Sequence, residues 1–394
     1  PGPGLPTPMN RADQLEQQAR DATALDDFGE ESYREGLEIL VASADREARF
    51  TDMGAAAFDA QIVGLLSNRL QVEHWYRKHP EIEEQEIERP LIGLGLPRTG
   101  STALSCLLAE DPAARSIRNW EAQWPCPPPE TDSEHSDPRI ARAEASMARR
   151  NQLFPRMKIM VPSTATSPTE CQTFMGFDFK SQLFQSSARI PAYVEWLNHK
   201  ADLVPTYRYV ERVLKLLQWR CQPRRWRLKN PSHSLFIEAL AQVFPDARFW
   251  MTHRDVGSVL PSVADLYFEL HQAFTQQVDK AWLGEVTTGF CELGMRRMID
   301  FRDRGNDHRF FDIDFVSFMQ DPFPTLEQLY SFLGEALTAD ARDRMMAWRQ
   351  STPRDKHGEH TYDSADFGID LTALRERFRF YSDRFEVPGG DEHA

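Results

Sequence analysis

Cysteine is scarce in this chain and unorganised. Cys106, Cys126, Cys171, Cys221 and Cys291 are the five present. No two form a C-x-x-C pair, and no histidines cluster with them at zinc spacing, so neither a disulfide framework nor a metal site is indicated. An odd number of scattered thiols fits a reducing compartment, and a cytoplasmic location is the expectation. Long apolar runs are also missing. None approaches the ~20 residues that span a bilayer, and no N-terminal hydrophobic stretch reads as a secretory signal. Positive charge is in deficit: 46 Lys and Arg stand against 60 Asp and Glu, a formal net charge of −14. That balance argues against nucleic-acid partners. No internal repeat or low-complexity tract is visible.

What is there is material for a large core. The 394 residues are 41% hydrophobic, with 25 Phe and 9 Trp, enough for one large α/β domain or two smaller ones. Residues 10–78 carry helical periodicity, as in Leu37, Leu40 and Val41 and later Ile62, Leu65, Leu66 and Leu70. The acidic run Glu81–Glu88 reads as a solvated connector. From residue 89 strands and helices alternate. Strands are expected at 91–94, 114–119, 226–229, 247–252 and 310–315. Helices are expected after residue 102, over 139–150, 207–219 and 235–244, after Asp255, and over 324–333. Such alternation predicts an α/β fold with a central, mostly parallel sheet covered by helices on both faces. The expected division is a helical extension over residues 1–88, packed on an α/β domain over 89–394.

The most informative segment is Leu91–Thr102, LIGLGLPRTGST. An apolar strand runs into glycine-rich backbone and then into a helix. Gly95 and Gly100 have P-loop spacing, but Ser101 stands where a P-loop carries lysine. That lysine bridges the terminal phosphates of a nucleoside triphosphate, so its absence argues against a magnesium-dependent kinase. The uncapped helix start still favours an anion, with Arg98 as its cation.

Ligands of open parallel sheets sit at the carboxyl ends of the strands. Here those ends carry Arg98–Thr102, Glu121, then Lys229, Asn230 and His233, then His253, Arg254 and Asp255. Helix capping alone accounts for Asn230 and Asp255. It does not account for Arg98, Lys229 and Arg254, because cations are disfavoured at helix N-termini unless an anion is shared.

The segments Gly95–Thr102, Leu228–His233, Thr252–Ser262 and Asp355–Asp363, in this order, resemble sulfotransferases that use 3′-phosphoadenosine 5′-phosphosulfate (PAPS), in their bacterial, notably actinobacterial, branch. The match runs from about residue 89 to 385. The resemblance implies a 5′-phosphosulfate loop at Pro97, Arg98, Thr99, Gly100, Ser101 and Thr102, and a 3′-phosphate site at Arg254 and Ser262. It adds Lys229, and a late loop of Lys356, His357, His360 and Tyr362 closing over the nucleotide. PAPS would donate the sulfuryl group and leave as 3′-phosphoadenosine 5′-phosphate (PAP), with no metal. Three features depart from the family pattern: many members carry lysine at the place of Arg98, Val256 replaces a common proline, and the helices before residue 85 lie outside the match.

Sulfuryl transfer needs cations and N–H donors around the sulfate and a base for the incoming hydroxyl. Three residues compete as base. Glu170 follows a Ser/Thr/Pro-rich loop, although Ser167–Glu170 also reads as a capping box. Glu121 stands where related enzymes acting on protein or glycan place a catalytic acid. His233 is the third. On the acceptor side Phe174, Phe177, Phe179, Tyr193 and Trp196 read either as core or as the wall of an apolar pocket. The pocket reading makes the acceptor a small or lipid-like alcohol, with peripheral membrane contact left open. The rivals are a small-molecule kinase and a non-catalytic nucleotide-binding protein.

Overall fold

A computed structural model describes residues 10–352 and 363–390. Its centre is a five-stranded, all-parallel sheet made of β1 (Leu91–Leu94), β2 (Ala114–Arg115), β3 (Arg225–Lys229), β4 (Arg248–His253) and β5 (Phe310–Asp314), in the order β2-β3-β1-β4-β5. β1 is buried throughout, as its unbroken apolar run requires of a strand covered on both faces. It pairs with β3 on one side, Gly93 opposite Lys229, and with β4 on the other, Leu94 opposite Met251. Gly93 is required here because the Trp250 ring lies across it; a Cβ would come within 2.2 Å of that ring.

β2 is shorter than the expected 114–119. From Ile117 the chain leaves the sheet and bonds to residues 165–169 instead. Thr169 donates to the Ile117 carbonyl, Asn119 to that of Ser167 and Trp120 to that of Ala165, at 2.8–3.1 Å. Cys171 then donates to the carbonyl of Lys229 at the end of β3. These bonds bring the Ser/Thr/Pro loop, and with it Glu170, back to the sheet.

The helical N-terminus is three helices: α1 (Arg11–Thr23), α2 (Ser32–Glu47) and α3 (Asp52–Lys78). Asn10 and Asp13 form a capping box at the start of α1, and Thr51 caps α3. Leu37, Phe58 and Leu66 join one continuous core with Ile92 and Phe249 of the sheet. Arg69, fully buried on α3, locks this layer in place. It donates to the carbonyls of Phe28, Glu30 and Phe177 and lies over the rings of Tyr33 and Tyr209. Among the described residues no helix is long and apolar enough to cross a membrane.

Candidate active site

Helix α4 (Ser101–Ala109) starts on Gly100, in left-handed conformation, with no side-chain cap. Gly95 and Gly100 have φ of 114° and 80°, values that suit glycine. Arg98, at φ 63°, holds the left-handed region without being glycine, a strain of about 1–2 kcal/mol that the surroundings must impose. They do so through Thr99, which is buried and bonded to the Leu96 carbonyl and to the Thr252 hydroxyl on β4. The loop is thus held as a preformed turn at the start of a helix that has no side-chain cap.

The two phosphate-type motifs meet on Arg98. Its Nε donates to Ser262 Oγ at 3.1 Å and its terminal nitrogen to the Met160 carbonyl at 2.7 Å. Arg254 donates to the Arg98 carbonyl and stacks over the Phe315 ring. Ser262 lies on the helix Val256–Gln272, which follows β4. Arg156 pairs with Asp265 and Glu269 of that helix and so fixes the segment ending at Met160. Asp255 does not cap the helix with its side chain; it takes a two-pronged bond from Arg375, at 3.1 and 2.7 Å. Asn230 does cap, accepting from Ser232 N. Lys356, His357, His360 and Tyr362 lie outside the described residues.

The three candidate bases have different surroundings. Glu170 is partly exposed. Lys229 Nζ donates to its Oε1 at 2.7 Å and Gln172 Nε2 to its Oε2 at 2.8 Å. The expected capping box at Ser167 is absent, because the Ser167 hydroxyl turns back to Thr164 and the next helix begins at Gln172. Glu121 is fully buried. Its Oε1 accepts from Arg115 and Arg118 side chains and its Oε2 from the Arg118 N–H, and Glu134 binds the same arginines. Burial pushes the Glu121 carboxyl up, but the two guanidiniums outweigh it and hold it below the ordinary range. His233 is buried with Nδ1 bonded to the Tyr207 hydroxyl, and burial pushes its pKa down to about 3. A ring so placed stays neutral at physiological pH.

A partly open cavity of about 100 Å³ begins at the loop. Gly95, Leu96 and Pro97 form one wall and Glu170 borders it. Val263, Tyr267, Phe290 and Met295 close the far side, from Val256–Gln272 and the helix Lys280–Phe301. The aromatic residues expected there are elsewhere. Phe174, Phe177, Phe179, Tyr193 and Trp196 are buried in the core, and Phe179 packs against Tyr33 of α2 and Phe184. Aromatics at helical spacing belong to the core in this region. The residues that do line the cavity escaped notice because they are spread over two long helices with ordinary apolar faces.

A five-stranded parallel sheet, an anion-ready loop after its central strand and an arginine-serine pair after the neighbouring strand describe a group-transfer enzyme of sulfotransferase type. The chain belongs to the sulfotransferase family, whose sequence profile matches residues 90–340. It is similar over almost its whole length to the crystal structure of sulfotransferase STF9 from Mycobacterium avium, at 32% identity and a TM-score of 0.90, covering 98% of this chain and 99% of that one. Sulfotransferase STF1 from Mycobacterium tuberculosis H37Rv is 29% identical with a TM-score of 0.84, covering 94% and 98%. The omega-hydroxy-beta-dihydromenaquinone-9 sulfotransferases Stf3 of Mycobacterium tuberculosis and Mycobacterium bovis are 31% identical over 109 residues. That match spans 27% of this chain and 28% of those relatives.

Proposed function

We propose that this chain moves a sulfuryl group from PAPS to the hydroxyl of an apolar or lipid-like alcohol. The observation that carries the proposal is the cradle at the end of β1: an uncapped helix start, two glycines at positive φ, and the cations Arg98, Lys229 and Arg254 at the neighbouring ends of β1, β3 and β4. The residues fit a donor with two separated anionic groups. Pro97–Thr102 and Lys229 would hold the phosphosulfate, and Arg254 with Ser262 the 3′-phosphate. PAPS supplies a sulfuryl group already joined to a phosphate leaving group, so what the protein must add is position and charge neutralisation. Arg98 and the first N–H groups of α4 do the second. Glu170 takes the proton of the acceptor hydroxyl, since it is the candidate carboxylate that borders the cavity. Glu121 and His233 serve the fold. The largely apolar cavity wall supports an apolar acceptor, as does the menaquinone derivative named for the Stf3 relatives. Such an acceptor brings the protein to a lipid surface as a peripheral visitor.

The test is transfer of radiolabelled sulfate from PAPS to a panel of lipid alcohols, phenols and glycans, without added metal. Label in an apolar alcohol is the expected result. PAP binding with no transfer to any member would leave a nucleotide-binding protein in place of an enzyme.

A further inference from the structure

The cavity beside Glu170 has a polar side that the transfer chemistry does not use. Gln182 and Ser232 both line it and are 3% and 5% exposed. The Gln182 amide nitrogen and the Ser232 hydroxyl are buried with no hydrogen-bond partner. Buried donors are paired in the great majority of native sites, so two orphans on residues that line one small space call for a partner. Both are held in position: the Gln182 carbonyl accepts from Ser186 N, and Ser232 N donates to the Asn230 side chain. The far wall is largely apolar, with Val263, Tyr267, Phe290 and Met295.

We propose that Gln182 and Ser232 recognise a second oxygen on the acceptor. The preferred substrate class is then an alcohol whose apolar body also carries a carbonyl, hydroxyl or ether oxygen, and not a plain hydrocarbon alcohol. The inference rests on the reading of this cavity as the acceptor site. A site built to hydrogen-bond a substrate group discriminates strongly against the analogue that lacks it, because its own donors are then left unpaired.

The experiment compares 4-acetylbenzyl alcohol with 4-ethylbenzyl alcohol, near-isosteric acceptors that differ by the ketone oxygen, using labelled PAPS. The wild type is expected to favour the ketone in kcat/KM by about tenfold or more. Gln182→Met and Ser232→Ala should each shrink that ratio toward one, mainly through KM of the ketone. Their melting temperatures should equal or exceed the wild type, since each removes an unpaired buried donor. A wild type indifferent to the ketone, or a ratio unmoved in both variants, overturns the inference while leaving sulfotransfer standing. Failure of the wild type to sulfate any alcohol overturns the function proposal itself, and the two failures are told apart.

Discussion

Two carboxylates, Glu121 and Glu170, lie on segments joined by the bonds between residues 117–120 and 165–169, yet their surroundings differ in one decisive respect. Glu121 is enclosed by Arg115 and Arg118 and has no exposure. Glu170 meets one lysine and one glutamine and is open to a cavity that begins at the anion loop. A buried carboxylate saturated by guanidiniums is a structural joint. A carboxylate with an open approach beside an anion cradle can exchange a proton with a bound molecule.

The comparison is broken most directly by matched amides. Glu170→Gln should lower kcat about 10²–10⁴-fold, the usual worth of a general base, with little change in melting temperature. Glu121→Gln should do the reverse. It leaves Arg115 and Arg118 short of charge in the interior, a loss of about 3–5 kcal/mol in stability, while the folded fraction keeps its turnover. Glu121→Gln with intact stability and lost turnover would exchange the two roles.

The cations sharpen the contrast. Arg98→Ala should cost about 10²–10³ in kcat if, as proposed, its charge neutralises the transferring group. Arg254→Ala should act mainly on donor affinity, seen as a raised KM for PAPS. The same kinetic pattern in both variants would contradict the proposed separation of sulfate and 3′-phosphate sites.

The smallest effect belongs to His233, a buried ring that the proposal also assigns to the fold. Its folded pKa is pushed down to about 3, whereas the unfolded ring takes a proton below about pH 6.5. Between those values the unfolded chain binds more protons, so this stabilisation is present above pH 6.5 and is lost as pH falls toward 3. From pH 7 to 5 the wild type should lose about 2 kcal/mol more than His233→Phe in urea melts. Parallel losses would show that the ring is not held neutral.

Much of this arrangement was legible in the residues themselves. A short apolar run before Gly95, and polar residues ending the runs at Lys229 and His253, located the sheet and its ligand-bearing edge, because strand ends and helix starts are local signals. The helix expected over 235–244 begins instead with a tight turn, Pro231–Phe236, before Ile237–Val243. The sequence placed Glu170 ahead of Glu121 on chain position alone, since what separates them physically is the pairing of 117–120 with 165–169 and the convergence of Arg115 and Arg118, both set by tertiary structure. The aromatic segment 174–196 illustrates the same limit. Its rings look identical as core or pocket until the N-terminal helices are packed against them.

Thermal unfolding with PAP, in the absence of magnesium, set beside ATP with magnesium, tests most directly whether the cradle at the end of β1 holds a 3′-phosphorylated donor. PAP at about a hundred times its dissociation constant should add about 2.7 kcal/mol of stability, and ATP with magnesium much less. Stabilisation by ATP with magnesium and none by PAP would contradict the account and return the chain to the kinase reading.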